Sequence, residues 1–301
     1  MENNEVVIEK YLIRYKTSPQ SVSMRKSCLN HFFTYYGQDK SIFELTKQDI
    51  SDYFDYLKTN KEYALNTKKA KFYIFRSFIL RVVYYYEERF NKIPLFAPSY
   101  NWGDRGHADE KEKDYVLTPK NIEDILYVFD RENQIKYLVF GLYAFSGARK
   151  GEIQNLRIKG VNLEDRTITV KGKKGKKVYC FDERLLPKLE MYMNLRKSIP
   201  AETDHLFITT NNKAYSLRRF NMWLKPVLKE LNLPNEVSIQ YFRWSINNNR
   251  KELLDTPNDD CEVLLGHAIS NVNSKHYTKK ITPEKRAKLY DLNNPYKTIR
   301  I

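Results

Sequence analysis

The sequence predicts a mainly helical chain of two domains with one small β-hairpin, and three observations carry that reading. Apolar residues recur at helical spacing through the first 95 residues, the periodicity stops between residues 96 and 116, and a stretch around residue 170 alternates as strands do. The 301 residues suffice for two cores, since single cores are typically built from about 100 to 200 residues.

In the first domain, Ser18 and Pro19 read as an N-cap followed by proline at the first helical position. Val22, Leu29, Phe32, Phe33 and Tyr36 then follow at helical spacing until Gly37 stops the run. Thr46 and Asp49 have the pattern of a shortened capping box ahead of Ile50, Tyr53, Phe54 and Leu57. A third helix is expected from about residue 66 to 91, burying Phe75, Phe78, Ile79, Val82, Val83 and Tyr86 and turning Lys68, Lys69, Lys71 and Arg76 outward. Residues 1–95 are therefore read as a helical bundle and the polar segment 96–116 as an interdomain linker.

The second domain, 117–301, opens on Thr118 and Pro119 as cap and first helical residue, with Ile122, Ile125, Leu126 and Phe129 behind them. A second helix is expected over 135–145. Residues 166–171 and 177–181 read as the strands of a hairpin around a turn at 172–175. Helices follow to about Leu292, interrupted by a short strand at 205–208.

Fifty-two Lys and Arg against 37 Asp and Glu leave a formal charge of +15, and both domains share it. A polyanion is the natural partner. Nucleic acid fits better than an anionic membrane, because 14% aromatics and 42% hydrophobic residues describe a folded protein rather than a basic tail. No apolar run approaches the roughly 18 residues of a spanning helix, and the polar start Met1-Glu2-Asn3-Asn4-Glu5 is unlike a secretory signal, so a soluble intracellular protein is expected. Cys28, Cys180 and Cys261 lie too far apart to suggest a disulfide framework or a zinc site and are expected to be buried.

Splitting a phosphodiester without a metal requires an in-line nucleophile, positive groups on the non-bridging oxygens and a proton donor for the leaving oxygen. The second domain holds candidates for all three in order. Arg149 lies in Gly147-Ala148-Arg149-Lys150-Gly151-Glu152, and the hairpin carries Lys171, Lys173, Lys174, Lys176 and Lys177. Gln240-Tyr241-Phe242-Arg243, Leu264-Leu265-Gly266-His267 and Tyr277-Thr278-Lys279 follow. Taken singly, each has an ordinary reading: a solvated arginine at a helix end, a lysine surface tracking phosphates, one packed tyrosine among 23. Taken together, the series resembles the tyrosine recombinases, also called the phage integrase family.

That resemblance implies an amino-terminal helical core-binding domain of SAM-like fold and a tyrosine-recombinase catalytic domain. It implies that Arg149 and Arg243 clamp the scissile phosphate, that Glu152 orients the first arginine, and that His267 hydrogen-bonds a non-bridging oxygen. Lys173 aligns with the family's general acid, with Lys174 as the other choice, and Tyr277 with the nucleophile that leaves a 3′-phosphotyrosine and a free 5′ hydroxyl. Lys68, Lys69, Lys71, Arg76, Lys171, Lys174, Lys176 and Lys177 are the expected DNA-backbone contacts. The implied partner is double-stranded DNA at attachment sites, bound by a homotetramer at synapsis that is monomeric when free, in the cytoplasm with the nucleoid, with no metal and no cofactor. The segment from Thr282 to Leu289 looks like a final helix, either of the kind that docks on a neighbouring protomer or a plain surface helix.

Two departures stand out. Gln240 occupies a position where the family most often has histidine and can donate only through its amide. The gap from His267 to Tyr277 is ten, one longer than the common nine. Two other readings keep the same residues: supercoil relaxation in the manner of type IB topoisomerases, and a DNA-binding accessory protein with impaired catalysis.

Overall fold

Residues 3–16, 18–86, 102, 115–172, 175–266 and 281–301 are described by the computed structural model, in which the chain forms two units, Met1–Glu112 and Lys113–Ile301. As expected, the architecture is mainly helical with a small antiparallel sheet.

The described part of the first unit is built on helices α1 (Asn4–Leu12), α2 (Pro19–Tyr36), α3 (Lys47–Thr59) and α4 (Leu65–Tyr85). The caps form as the sequence indicates: the Ser18 side chain accepts from the Ser21 N–H, and Thr46 and Asp49 satisfy each other's backbone N–H groups. Aromatic rings fill the core, with Phe32 stacked on Phe75 at 4.1 Å between centroids and Trp102 edge-on to Phe54 at 4.7 Å. Helix α1 did not stand out in the sequence; Asn3 caps it, and Val7, Ile8, Tyr11 and Leu12 are buried.

The basic residues of α4 do not form one outward face. Arg76 is exposed, but Lys68 donates to the Lys58 carbonyl at 2.9 Å and Lys71 lies over the Tyr63 ring at 4.7 Å, so their stems are half-buried, as is Lys69. The expected continuation of this helix to residue 91 falls outside the described residues.

In the second unit, α5 (Pro119–Glu132) and α6 (Gln134–Ser146) form an antiparallel pair, and α7 (Lys150–Gln154) follows after a sharp turn. Residues from Tyr137 to Ser146 are buried on every side, which makes α6 the central helix. Strands β1 (Val161–Asn162), β2 (Thr167–Gly172) and β3 (Gly175–Cys180) make an antiparallel sheet in that order, with Val170 opposite Lys177 and Lys171 opposite Lys176. Helices α8 (Leu186–Ser198), α9 (Leu217–Glu230), α10 (Ile239–Leu254), α11 (Asn258–Leu264) and α12 (Pro283–Leu292) complete the described elements. Cys28, Cys180 and Cys261 are free and buried.

One expectation needs correction. Residues 205–208 form no strand: His205 bridges to Arg157 and Ile208 to Ala214, two different neighbours, so no ladder develops. The last helix packs against its own unit. Arg286 of α12 donates to the carbonyls of Val178 at 3.3 Å and Val263 at 2.9 Å, and Tyr290 and Tyr296 are buried. Arg184 then holds the tail through the carbonyls of Tyr296 and Ile299.

Candidate active site

The site begins where α6 ends. Gly147 takes the left-handed conformation at φ 61°, and a Cβ there would stand 2.9 Å from Ile246 Cγ2 and 3.0 Å from Leu265 Cδ2. Conformation and packing both require glycine. The chain re-enters a helix two residues later with Arg149 as the N-cap of α7, in extended conformation. Glu152, at the third helical position, accepts the Arg149 backbone N–H at 2.8 Å. The i, i+3 spacing seen in the sequence thus fixes the backbone of Arg149 as well as its side chain.

Glu152 is the hub. One carboxylate oxygen, Oε2, accepts the Arg149 N–H and the Tyr179 hydroxyl, the latter at 2.6 Å. The other, Oε1, accepts from the Lys177 ammonium at 3.0 Å and faces Arg149 Nη1 at 3.6 Å. Burial alone pushes the Glu152 carboxyl up; the Tyr179 hydroxyl, the Arg149 N–H and the Lys177 ammonium together outweigh it and hold the group below the usual carboxylate range. Glu152 is 9% exposed while the Arg149 side chain is 42% exposed. A buried anion therefore holds an arginine whose side chain is partly open to solvent, while its Nη1 is itself buried.

Arg243 lies one turn into α10 and is buried. Its Nη1 donates to the Gly147 carbonyl at 2.6 Å and its Nη2 to the Leu265 carbonyl at 3.2 Å, tying α10 to the turn before Arg149 and to the segment that runs into Gly266. Burial pushes its ionisation down, and the charge of Arg149 adds to that push, so the two cations act on one another. A guanidinium nevertheless stays protonated at neutral pH. Gln240 sits half-buried three residues before Arg243, on the same side of the helix. A guanidinium can pair with an oxyanion such as phosphate through two parallel N–H donors.

The hairpin lysines divide by the pleat of the sheet. Side chains alternate along a strand, so Lys177 falls on the face shared with Ile168, Val170 and Tyr179, whereas Lys171 and Lys176, opposite each other, are exposed on the other face. Lys177 was grouped with the surface lysines by its sequence position; the structure places its ammonium inside the site against Glu152. Lys173, Lys174, His267 and Tyr277 lie outside the described residues. Among the described residues, no group of three or more His, Cys, Asp or Glu is arranged to hold a metal ion, and no helix is long and apolar enough to cross a membrane.

Tyr179 is the site residue that sequence reasoning missed. It is fully buried; burial together with the hydrogen bond to Glu152 and that residue's charge pushes its ionisation far up, so it is a neutral donor. The available signal was the period-2 alternation of β3, which puts Tyr179 on the same face as Lys177.

Comparison with known proteins identifies the family and the fold. The model of the phage integrase family matches residues 115–282. Similar solved structures include the Tn1549 transposon integrase in complex with transposon right end DNA, at 15% identity over 95% of this chain and 99% of that one, with a TM-score of 0.63. The XerH site-specific recombinase bound to difH substrate is 16% identical over 90% of this chain and 80% of that one, with a TM-score of 0.62. A lambda integrase dimer bound to a COC′ core site is 13% identical over 93% and 99%, with a TM-score of 0.57. At these identities the structures speak for the fold, and the family match covers every element that builds the site. The chain belongs to the phage integrase family of tyrosine recombinases.

Proposed function

We propose that the protein is a site-specific DNA recombinase that cleaves and rejoins duplex DNA at attachment sites through a 3′-phosphotyrosine. The observation that carries this reading is the pair of arginines on either side of the Gly147 turn: Arg149, held by the buried Glu152 carboxylate and partly open to solvent, and Arg243, fixed by two backbone carbonyls. Two rigid guanidiniums suit the non-bridging oxygens of a phosphodiester, whose charge grows as phosphorus becomes five-coordinate. The family's roles supply the rest. The Tyr277 hydroxyl gives up its proton to solvent as its oxygen attacks phosphorus, the bond to the 5′ oxygen breaks, and Lys173 gives that oxygen its proton, while His267 and the Gln240 amide donate to the phosphate. Rejoining is the reverse attack by a 5′ hydroxyl, so the bond energy is conserved in the phosphotyrosine and no cofactor is required.

Duplex DNA is the partner supported by the basic composition and by similar structures solved with transposon end, difH and core-site DNA. Exposed Lys171, Lys176 and Arg76 are suited to its backbone, and strand exchange by a homotetramer on two sites is part of the proposal. The test starts from duplexes that the protein selects out of a random pool, rebuilt with a nick beside each candidate phosphate so that the short strand diffuses away after cleavage. Incubation in EDTA should give a DNA-linked protein band on a denaturing gel. Tight binding with no such band on any selected duplex would leave a DNA-binding accessory protein, and relaxation of any supercoiled plasmid without site preference would indicate a topoisomerase.

A further inference from the structure

We propose that Tyr179 is a positioning residue, which sets the first arginine of the site through Glu152 and braces the segment that leads into His267. The inference rests on the strand-transfer reading for its kinetic consequence, but its geometry stands independently. The Tyr179 hydroxyl donates to Glu152 Oε2 at 2.6 Å, onto the oxygen that also receives the Arg149 N–H at 2.8 Å. The carboxylate plane, and with it the placement of Oε1 beside the Arg149 guanidinium, is thus fixed from the β3 side. The same ring backs onto Gly266: a Cβ there would stand 3.0 Å from Tyr179 Cε1 and Cζ and 3.2 Å from its hydroxyl oxygen. Gly266 has φ 64°, so its turn requires glycine, and the Tyr179 ring leaves no space for a side chain.

One buried tyrosine therefore touches two of the segments that carry the chemistry. Its neighbour on the same face, Lys177, supplies the charge at Oε1; Tyr179 supplies the direction at Oε2. A tyrosine that packs without positioning would need only its ring. Tyr179→Phe separates the two roles, because it keeps the ring and the fold and removes one hydroxyl.

Two readouts test the proposal in the full-length chain. The first needs no catalysis: the Glu152 carboxyl resonance in protein carrying 13C-labelled glutamate, assigned by its absence in Glu152→Gln, is followed from neutral pH downward. In the wild type it should stay ionised through about pH 4 to 5, where unperturbed glutamates titrate. In Tyr179→Phe it should titrate at higher pH than in the wild type, since the hydroxyl is the strongest of the groups that lower it. The second is single-turnover formation of the covalent DNA adduct, which should fall about tenfold to a hundredfold in Tyr179→Phe with DNA affinity within about twofold. The loss should be absent when the substitution is made on top of Glu152→Ala, which leaves the hydroxyl no carboxyl oxygen to position. An unmoved Glu152 titration, or a rate loss that adds fully to that of Glu152→Ala, would overturn the proposal. A shifted titration in a chain that forms no adduct even as wild type would uphold the positioning and refute the strand-transfer reading.

Discussion

Replacing Glu152 by glutamine tests the hub while changing almost no volume. An amide keeps one oxygen, which can stay where Oε2 receives the Tyr179 hydroxyl and the Arg149 N–H. Its NH2 then occupies the place of Oε1 and faces two cations, the Lys177 ammonium that was 3.0 Å away and the Arg149 guanidinium that was 3.6 Å away. Hydrogen bonds to a charged group contribute about 1.5 to 3 kcal/mol each. The Lys177 side chain is 18% exposed and can swing toward water, so its loss falls short of stranding a buried charge, which costs about 3 to 5 kcal/mol. One charged bond lost and two weakened amount to about 2 to 3 kcal/mol of stability at neutral pH, measurable by urea unfolding of the full chain followed by circular dichroism. Because folding lowers the Glu152 pKa, its contribution is present above the unfolded value and is lost as pH falls through the folded one. The gap between wild type and mutant should therefore be full at neutral pH and close only below about pH 4. Adduct formation should fall about a hundredfold, the scale of losing one transition-state donor. A mutant as stable as the wild type at pH 7, or a gap that does not change with acid, would refute the assignment of Glu152 as the electrostatic hub.

Three further substitutions have defined expected outcomes. Arg243→Lys should cut cleavage at least a hundredfold and destabilise the chain by about 1 to 3 kcal/mol, because an ammonium cannot hold the Gly147 and Leu265 carbonyls together; adduct kinetics and urea unfolding read the two effects. The double change Lys171→Ala/Lys176→Ala should reduce the slope of log affinity against log salt by about two, whereas Lys177→Ala should leave that slope alone and slow cleavage, as titrated DNA-binding and adduct assays would show. Lys173→Ala should cut ordinary DNA slowly yet cut a 5′-bridging phosphorothiolate at nearly the wild-type rate, because sulfur leaves without a proton; rescue of Lys174→Ala alone would move the general acid by one residue.

The elements that the sequence disclosed are those whose signals are local. Ser18, Thr46 and Thr118 cap helices where their side chains say they should, and the alternation at residues 166–181 returns as β2 and β3. The two arginines and Glu152 were legible because the family motif names them. What escaped depends on partners distant in sequence. Lys177 and Tyr179 reach Glu152 across about 25 residues through the pleat of a strand, and a run of lysines does not announce which member turns inward. Lys68 and Lys71 on α4 are likewise drawn in by Lys58 and Tyr63, outside their own helix. The three consecutive buried residues Leu206, Phe207 and Ile208 resemble a strand locally, but two different neighbours claim the ends of that segment.

In the proposed reaction DNA becomes covalently joined to one tyrosine out of 23. Adduct trapped on a nicked duplex, digested with nuclease and protease and sequenced by tandem mass spectrometry, should carry its nucleotide remnant on the peptide containing Tyr277, and Tyr277→Phe should bind the duplex normally and give no adduct. A remnant on any other residue, or an adduct that persists in Tyr277→Phe, would contradict the account.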